Sequence, residues 1–221
     1  ISEFDGYTFV AFLDISGFKE LMKQGNRALK AIDKFYQAGY DVLKENRSRR
    51  KIKIEGIFIS DCGVLFVRHG SDNIKKLRVL LLCVKEINKR MLRHDFMLTT
   101  SIAYGHFKYQ ERIEFRGIEK NPIYGNAYVT AFLDNERGRP KIQPGQCRIV
   151  CKNLPLEVAK AIEGSEDEVF RMVKRRKGDN GHFYYYWMRE RPEEIKKFEE
   201  QYNDAYNRVY AGILKALKGI Y

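Results

Sequence analysis

The sequence predicts an α+β fold: a ferredoxin-like sheet with antiparallel strands at its centre, helices packed on one face, and a helix at the C-terminal end. Two observations lead to this class. Apolar stretches of strand length alternate with amphipathic stretches of helical length in the order β-α-β-β-α-β, and a further hairpin follows them. The chain has 221 residues and is 44% hydrophobic, which suffices for one core of this kind.

The first element is a buried strand that ends at a turn. An apolar run of five residues, 9–13, places Asp14 just before Ser16 and Gly17, where the chain turns toward a helix. A carboxylate at this position, beside free backbone N–H groups, is suited to hold a divalent cation against phosphate. The alternative is that Asp14 caps the next helix.

A second apolar segment carries the same feature. Residues 57–67 form two apolar halves around Ser60, Asp61, Cys62 and Gly63, which predicts a hairpin with a carboxylate at its turn. Two strands that each present an aspartate at one end make a metal-binding pair plausible.

The remaining elements follow from hydrophobic periodicity and turn residues. Helices are predicted at 26–46, 73–93, from 125, at 156–162 and at 192–217. Strands are predicted at 97–104, 147–151, 169–174 and 182–187, with an edge hairpin at 107–116 and a basic, solvated loop at 47–51. We therefore expect one domain over 1–190 and a C-terminal helical extension over 191–221 that packs on the same unit.

Composition limits the function classes. The net charge of +12 fits a basic surface or a site for a polyanionic nucleotide, but no motif for reading DNA or RNA accompanies it, so we do not expect nucleic-acid binding. The four cysteines lack zinc-ligand spacing and are expected to be reduced and buried. The sequence contains no apolar stretch long enough for a membrane span and no signal peptide, so we expect a cytoplasmic protein.

Four sequence blocks resemble the motifs of class III nucleotidyl cyclases. Residues 12–18, FLDISGF, resemble the family's F-x-D-h-x-G-F motif, where h is apolar, and Asp61 falls near its second metal-binding aspartate. Residues 99–105 resemble the R-x-G-I-x-x-G strand, and residues 124–132 resemble the start of the G-x-x-V-N-x-A-x-R helix. The blocks keep the family's order over roughly residues 7–190.

This resemblance implies the fold of that family, a homodimer with sites shared between subunits, and two Mg²⁺ or Mn²⁺ ions per site. Asp14, Asp61 and the Ile15 carbonyl would be the metal ligands. Backbone N–H groups of Gly17, Phe18 and Lys19 would bind the phosphates. Lys174, in a stretch that resembles the family's V-K-G-K-G strand, would contact the triphosphate, although it also fits a surface cation on a hairpin.

Several positions depart from the family pattern. The ribose-orienting Asn and the transition-state Arg correspond to Val129 and Leu133, and the adenine-reading Lys and Asp correspond to Ile57 and Pro122. Loss of the purine-reading groups with retention of both carboxylates resembles the pyrimidine cyclases of Pycsar antiphage systems, which make cyclic UMP or cyclic CMP for a separate effector. The candidate replacement groups for the base and the ribose are Arg50, Tyr124 and Asn126, together with Arg47, Arg49, Tyr128 and Arg137.

Three alternatives remain open at this point. One is a purine cyclase with a remodelled base pocket. Another is a cyclase-fold module that binds a nucleotide or a partner without turnover, which the loss of the transition-state groups favours. The third is a basic nucleic-acid-binding domain, whose binding would weaken steeply with salt.

Overall fold

The chain forms an α+β fold, as the sequence predicts. The computed structural model describes residues 3–49, 51–110, 112–115, 118–120 and 122–206. The strands are β1 (Phe4–Ile15), β2 (Ile54–Ile59), β3 (Cys62–Val67), β4 (Leu98–Tyr109), β5 (Arg112–Phe115), β6 (Ile118–Lys120), β7 (Ile123–Tyr124), β8 (Cys147–Val150), β9 (Val173–Arg176) and β10 (Asp179–Tyr185). The helices are α1 (Phe18–Met22), α2 (Arg27–Arg49), α3 (Asn73–Leu92), α4 (Asn126–Arg137), α5 (Leu156–Gly164) and α6 (Ile195–Tyr206).

One large sheet organises the described residues. Its strand order is β2-β3-β1-β4-β8-β10-β9, and β7 adds to β4, while β5 and β6 pair separately. All of these pairings are antiparallel except that of β4 with β8. The long strand β1 therefore lies inside the sheet between β3 and β4. This position fixes the place of Asp14, which lies at the C-terminal end of β1.

Helices pack on both faces of this sheet, so the prediction of helices on one face was wrong. Along β1, Phe9 and Ala11 contribute to the apolar cluster that contains α2 and α3. Val10 and Phe12 contribute to a second cluster that contains residues of α4. Side chains alternate between the two faces of a strand. The unbroken apolar run of β1 is thus explained by burial on both sides.

Several predicted boundaries differ from those observed. The strand predicted to end before Gly105 continues to Tyr109, because it pairs with β1 as far as Phe4. Helix α4 packs against Gly105, where an added Cβ would lie 2.2 Å from Oδ1 of Asn126. Most of the basic run at 47–51 belongs to the last turn of α2 rather than to a loop. The strand predicted from residue 169 begins at Val173, after a short 3₁₀ turn.

The C-terminal helix packs on the same unit as far as it is described. Ile195, Phe198 and Tyr202 of α6 are buried in the larger apolar cluster. The Tyr202 hydroxyl donates a hydrogen bond to the Pro144 carbonyl at 2.6 Å. The rest of the predicted helix, 207–217, lies outside the described residues, and the division at residue 190 stays a prediction. Across the described part of the chain, no helix combines the length and apolar character needed to cross a membrane.

Candidate metal and nucleotide site

The β2-β3 hairpin brings Asp61 to the C-terminal end of β1, where Asp14 lies. Asp14 pairs directly with Cys62 in the β1-β3 ladder. Ser60 and Asp61 form a two-residue turn, and Ser60 adopts a positive φ of 54°. The Ile15 amide donates a hydrogen bond to the Asp61 carbonyl at 3.0 Å, which ties this turn to the end of β1.

Three side chains meet at this point. The ligand atoms of Asp14, Asp61 and Cys62 all lie within 4.8 Å of one another, and all three residues are half-buried. The Cys62 thiol donates a hydrogen bond to Oδ1 of Asp14 at 3.4 Å. The juxtaposition of Asp14 and Asp61, which the sequence predicts, is thus present within one chain. Cys62 joins them, and cysteine spacing gave no sign of this.

The electrostatics of the cluster favour a cation. Burial raises the pKa of Asp14 to about 6; the negative charges of Asp61 and Glu136 act in the same direction, and the hydrogen bond from Cys62 opposes them. Burial also raises the pKa of the Cys62 thiol, and the charge of Asp14 raises it further. A bound divalent ion would compensate the repulsion between the two carboxylates.

The surroundings of Asp14 and Asp61 also fit a bound divalent ion. Among the described residues, no lysine or arginine forms an ion pair with Asp14 or Asp61, whereas many other carboxylates of the chain have such partners. Two carboxylates with oxygen atoms close together are the ligands that Mg²⁺ and Mn²⁺ prefer. The residues present therefore match the metal that the family resemblance implies.

The segment that follows β1 offers backbone donors. Gly17 adopts a φ of 72° and begins the short helix α1, and its carbonyl accepts hydrogen bonds from the Glu20 and Leu21 amides. The first N–H groups of a helix have no partner within it. Phe18 packs against the core, whereas Lys19 is exposed. Because these residues follow Asp14 directly, the predicted phosphate contacts lie next to the acidic pair.

Three other predicted site residues, Lys174, Tyr124 and Asn126, are not brought to the acidic pair within one chain. Lys174 lies on the outer strand β9, four strands from β1, which corresponds to about 19 Å across the sheet. Tyr124 pairs with Lys108, which lies opposite Asp5 near the start of β1, about 30 Å along the strand from Asp14. Asn126 begins α4 beside Gly105, between these two ends. Arg50 lies outside the described residues.

Three positions that depart from the family pattern carry apolar side chains, and the structure shows where these side chains lie. Val129 and Leu133 are 45% and 43% exposed on α4, one helical turn apart. Ile57 packs into the α4-side cluster from β2. These side chains offer no hydrogen bond or charge to a ribose, a base or a phosphate.

Sequence reasoning missed a buried polar network that anchors α4. Asp134 on α4 accepts hydrogen bonds from Arg148 Nε at 2.7 Å and from the Ser101 hydroxyl at 2.6 Å, and His182 Nε2 lies 2.8 Å from it. One residue further along α4, Asn135 accepts a hydrogen bond from Thr99, which lies opposite Asp14 in the ladder. No local pattern reveals these contacts, because their members come from four separate elements.

The sheet and its helices have the fold of class III nucleotidyl cyclase catalytic domains, as similar solved structures show. The guanylyl cyclase Cya2 is similar, with 15% identity, a TM-score of 0.52, and coverage of 83% of this chain and 93% of that one. The guanylate cyclase domain of RhGC from Catenaria anguillulae, solved with GTP, has 13% identity, a TM-score of 0.54, and coverage of 83% and 96%.

A third similar structure is a class III adenylyl cyclase-like ATP-binding protein from Pseudomonas aeruginosa. It has 12% identity and a TM-score of 0.55, and the match covers 88% of this chain and 40% of that one. No protein-family model matches the chain, and no curated protein matches it either. At these low identities, the solved structures establish the fold alone.

Proposed function

We propose that this chain is a nucleotidyl cyclase that converts a nucleoside triphosphate into a 3′,5′-cyclic nucleotide and pyrophosphate. The observation that carries the proposal is the cluster of Asp14 and Asp61 at the end of β1, with ligand atoms within 4.8 Å and without basic partners among the described residues. Divalent ions held there, two Mg²⁺ or Mn²⁺ per site, would acidify the ribose 3′-hydroxyl and offset the charge of the leaving pyrophosphate.

The chain's own residues would have separate roles. Asp14, Asp61 and the Ile15 carbonyl would hold the ions. The amides of Gly17, Phe18 and Lys19 would bind phosphate oxygens at the start of α1, next to the acidic pair. Lys174 would bind the triphosphate. Because Lys174, Tyr124 and Asn126 lie far from Asp14 within one chain, a complete site requires a second copy of the chain that contributes them.

The preferred substrate in this proposal is UTP or CTP. The position that would read adenine through a lysine is Ile57, which is packed in an apolar cluster, and its acidic partner position is Pro122. A site without these two polar groups lacks the hydrogen bonds that, in the family pattern, favour a purine. The further role as second-messenger synthase in antiphage defence rests on the sequence resemblance alone, with Arg50 and Tyr124 as candidate base contacts.

The test is product formation by the full chain with each nucleoside triphosphate and Mn²⁺, read by mass spectrometry. We expect cyclic UMP or cyclic CMP, and loss of the product in Asp14→Asn and Asp61→Asn. Asp33→Asn, which makes the same change at an exposed position of α2, should retain activity. A product from ATP or GTP alone would overturn the pyrimidine preference. If none of the four nucleoside triphosphates gives a cyclic product, the proposed cyclase function is wrong.

A non-catalytic nucleotide-binding module is the second candidate, and one observation favours it. The exposed outer stripe of α4 carries Val129 and Leu133 where the family places the ribose-orienting Asn and the transition-state Arg. One of the similar solved structures is described as an ATP-binding protein. Nucleotide binding measured by calorimetry without turnover in the assay above would establish this alternative.

A further inference from the structure

Strand β2 forms one edge of the large sheet, and a groove runs beside it. Among the described residues, β2 pairs with β3 alone. Helix α2 packs next to this edge, and the space between α2 and β2, here called the β2 groove, measures about 540 Å³. We propose that the β2 edge and groove bind an extended, acidic segment of a partner protein, which joins the sheet as a further strand.

Alternate residues of β2 direct their main-chain groups away from β3. The two-residue turn after Ile59 makes Ile59 a hydrogen-bonded residue of the ladder, so every second residue back along β2 is bonded to β3. Gly56 and Phe58 therefore direct their N–H and C=O groups outward. The Ile54 amide follows the same rule, since it donates an outward hydrogen bond to Oδ1 of Asn46 at 2.9 Å. An added strand would pair with Gly56 and Phe58.

The side chains on the groove face leave room for those of an added strand. A Cβ on Gly56 would lie 2.7 Å from Cδ1 of Leu43, so Leu43 forms the floor of the groove at this glycine. Phe58 packs against Tyr36, with ring centroids 5.9 Å apart. A residue directly opposite Gly56 would point to the same face and enter the groove. Tyr36 and Tyr40 line it and are 38% and 64% exposed, so an apolar residue there would bury aromatic surface.

The sequence of β2 does not protect its edge. Edge strands of natural proteins commonly carry lysine, proline or a bulge that hinders further pairing. The strand reads IEGIFI and pairs with β3 in continuous register, so it has none of these features. Its one charged residue, Glu55, lies on the opposite face together with Ile57. A regular, open edge of this kind is the template that strand addition requires.

The rim of the groove is basic, which indicates the charge of the partner. Lys44 is exposed, and its Nζ lies 5.7 Å from the centre of the Tyr40 ring. Arg47 reaches the sheet edge, where its guanidinium lies 3.5 Å from Oε1 of Glu55. Glu55 also pairs with Arg68 at 3.7 Å, so it keeps a counter-charge when Arg47 contacts a carboxylate of the partner. The added segment should therefore contain an aspartate or glutamate.

A second copy of this chain fits the groove less well than an acidic partner. On the groove face, β2 carries Ile54, Gly56 and Phe58, and none of these is acidic. Edge-to-edge pairing of two copies would thus leave Lys44 and Arg47 without a counter-charge from the added strand. The expected segment has apolar residues opposite Gly56 and Phe58 and a carboxylate two residues further, on the side of Arg47.

Peptide binding to the full chain, measured by fluorescence anisotropy, tests the proposal. The probes are labelled peptides SxTxTDS, with valine, isoleucine, leucine or phenylalanine at both x positions. We expect binding, and a peptide with lysine in place of the aspartate should bind at least about fivefold more weakly. N-methylation at the x residues should abolish binding because their N–H groups face β2, whereas N-methylation at the threonine between them should not.

Two substitutions locate the binding surface. Tyr40→Ser and Arg47→Glu should each weaken binding of the acidic peptides at least about fivefold, and Arg47→Glu should prefer the lysine peptide. The controls are Leu156→Ser and Lys160→Glu, comparable changes at exposed positions of α5, which should leave the affinity unchanged. Hydrogen exchange on the unmodified chain covers the case in which a variant does not fold. Bound peptide should slow exchange in β2 and not in β9, at the opposite edge of the sheet.

Three results would overturn the proposal. The first is no binding by any peptide of the set, and the second is binding that ignores N-methylation at the x residues or the substitution of Arg47. The third is a self-associated state that Tyr40→Ser dissociates while the peptides do not bind, which would make a second copy the occupant. All of these readouts are independent of nucleotide turnover, so failure of the cyclase assay and failure of this docking site are distinguishable.

Discussion

Arg148 on β8 is fully buried, and it forms an ion pair with Asp134 on α4, with Nε 2.7 Å from Oδ2. The same guanidinium donates a second hydrogen bond to Oδ1 at 2.9 Å and a third to the Asp134 carbonyl at 2.8 Å. A buried ion pair adds little net stability, but loss of one member leaves an uncompensated charge in the interior. The pair therefore fixes the C-terminal turn of α4 to the sheet.

Asp134→Asn should strongly destabilise the chain. The variant keeps a hydrogen-bond acceptor but leaves the buried Arg148 without its counter-charge. We expect the free energy of unfolding to fall by roughly 3–5 kcal/mol. Urea denaturation of the full chain measures this change. The control is Glu20→Gln, which breaks the exposed Glu20–Lys23 pair and should cost less than about 1 kcal/mol. Similar losses in the two variants would contradict the anchoring role of Asp134.

The stability of the chain should depend on pH through His182. Burial opposes protonation of this histidine, but hydrogen bonds to Asp134 and Asp179 outweigh it and raise the pKa above its usual 6.5. For a base whose pKa is raised by folding, the stabilising contribution is complete below pH 6.5 and is lost as the pH rises through the folded-state pKa. Stability should therefore decrease above pH 6.5.

Asp134 and Asp179 should make the stability of the chain depend on pH in the acidic range. Burial raises the pKa of Asp134 and of Asp179, but hydrogen bonds from His182, Arg148 and Tyr184 lower it below the usual 3.8. Their contribution is present above pH 3.8 and is lost as the pH falls through the folded-state values. Thermal melts from pH 3 to 9 check both ranges. His182→Gln should remove the decrease above pH 6.5, whereas His69→Gln, at an exposed position, should retain it.

Gly125, which precedes α4, should tolerate no side chain. Its φ is 123°, and an added Cβ would lie 2.3 Å from the carbonyl oxygen of His106. Gly125→Ala should therefore displace the start of α4 and lower the free energy of unfolding by several kcal/mol, on the order of 2–4. The control is Gly164→Ala at the end of α5, where nothing lies within 4 Å and where alanine should be neutral or slightly stabilising. Equal denaturation midpoints for both variants would exclude this explanation.

The sequence predicted the acidic pair because each aspartate ends or interrupts an apolar strand, and β1 and β3 indeed pair with Asp14 opposite Cys62. The sequence did not predict the length of β4, because a glycine is locally typical of a strand end. The ladder with β1 carries the strand through Gly105, and the close approach of Asn126 leaves no room for a side chain there. The Asp134–Arg148 pair was missed for a related reason. A charged residue on an amphipathic helix is normally expected to face solvent. Asp134 is buried because α4 packs on the sheet, and this packing is not visible in the local sequence.

The distance between Lys174 and Asp14 leads to the last prediction. Lys174 lies on the outer strand β9, four strands from Asp14, so the proposed site draws these two residues from different subunits of a homodimer. Asp14→Asn and Lys174→Ala should each abolish or strongly reduce cyclic nucleotide formation.

When the two inactive variants are mixed and allowed to exchange subunits, each mixed dimer contains one intact site and one doubly defective site. Activity should therefore return to about a quarter of the wild-type value, because random exchange makes half of the dimers mixed. Native mass spectrometry of differently tagged subunits confirms the exchange. If mixed dimers form and the mixture stays inactive, then Asp14 and Lys174 of one active site do not come from different subunits, and the proposed arrangement is wrong.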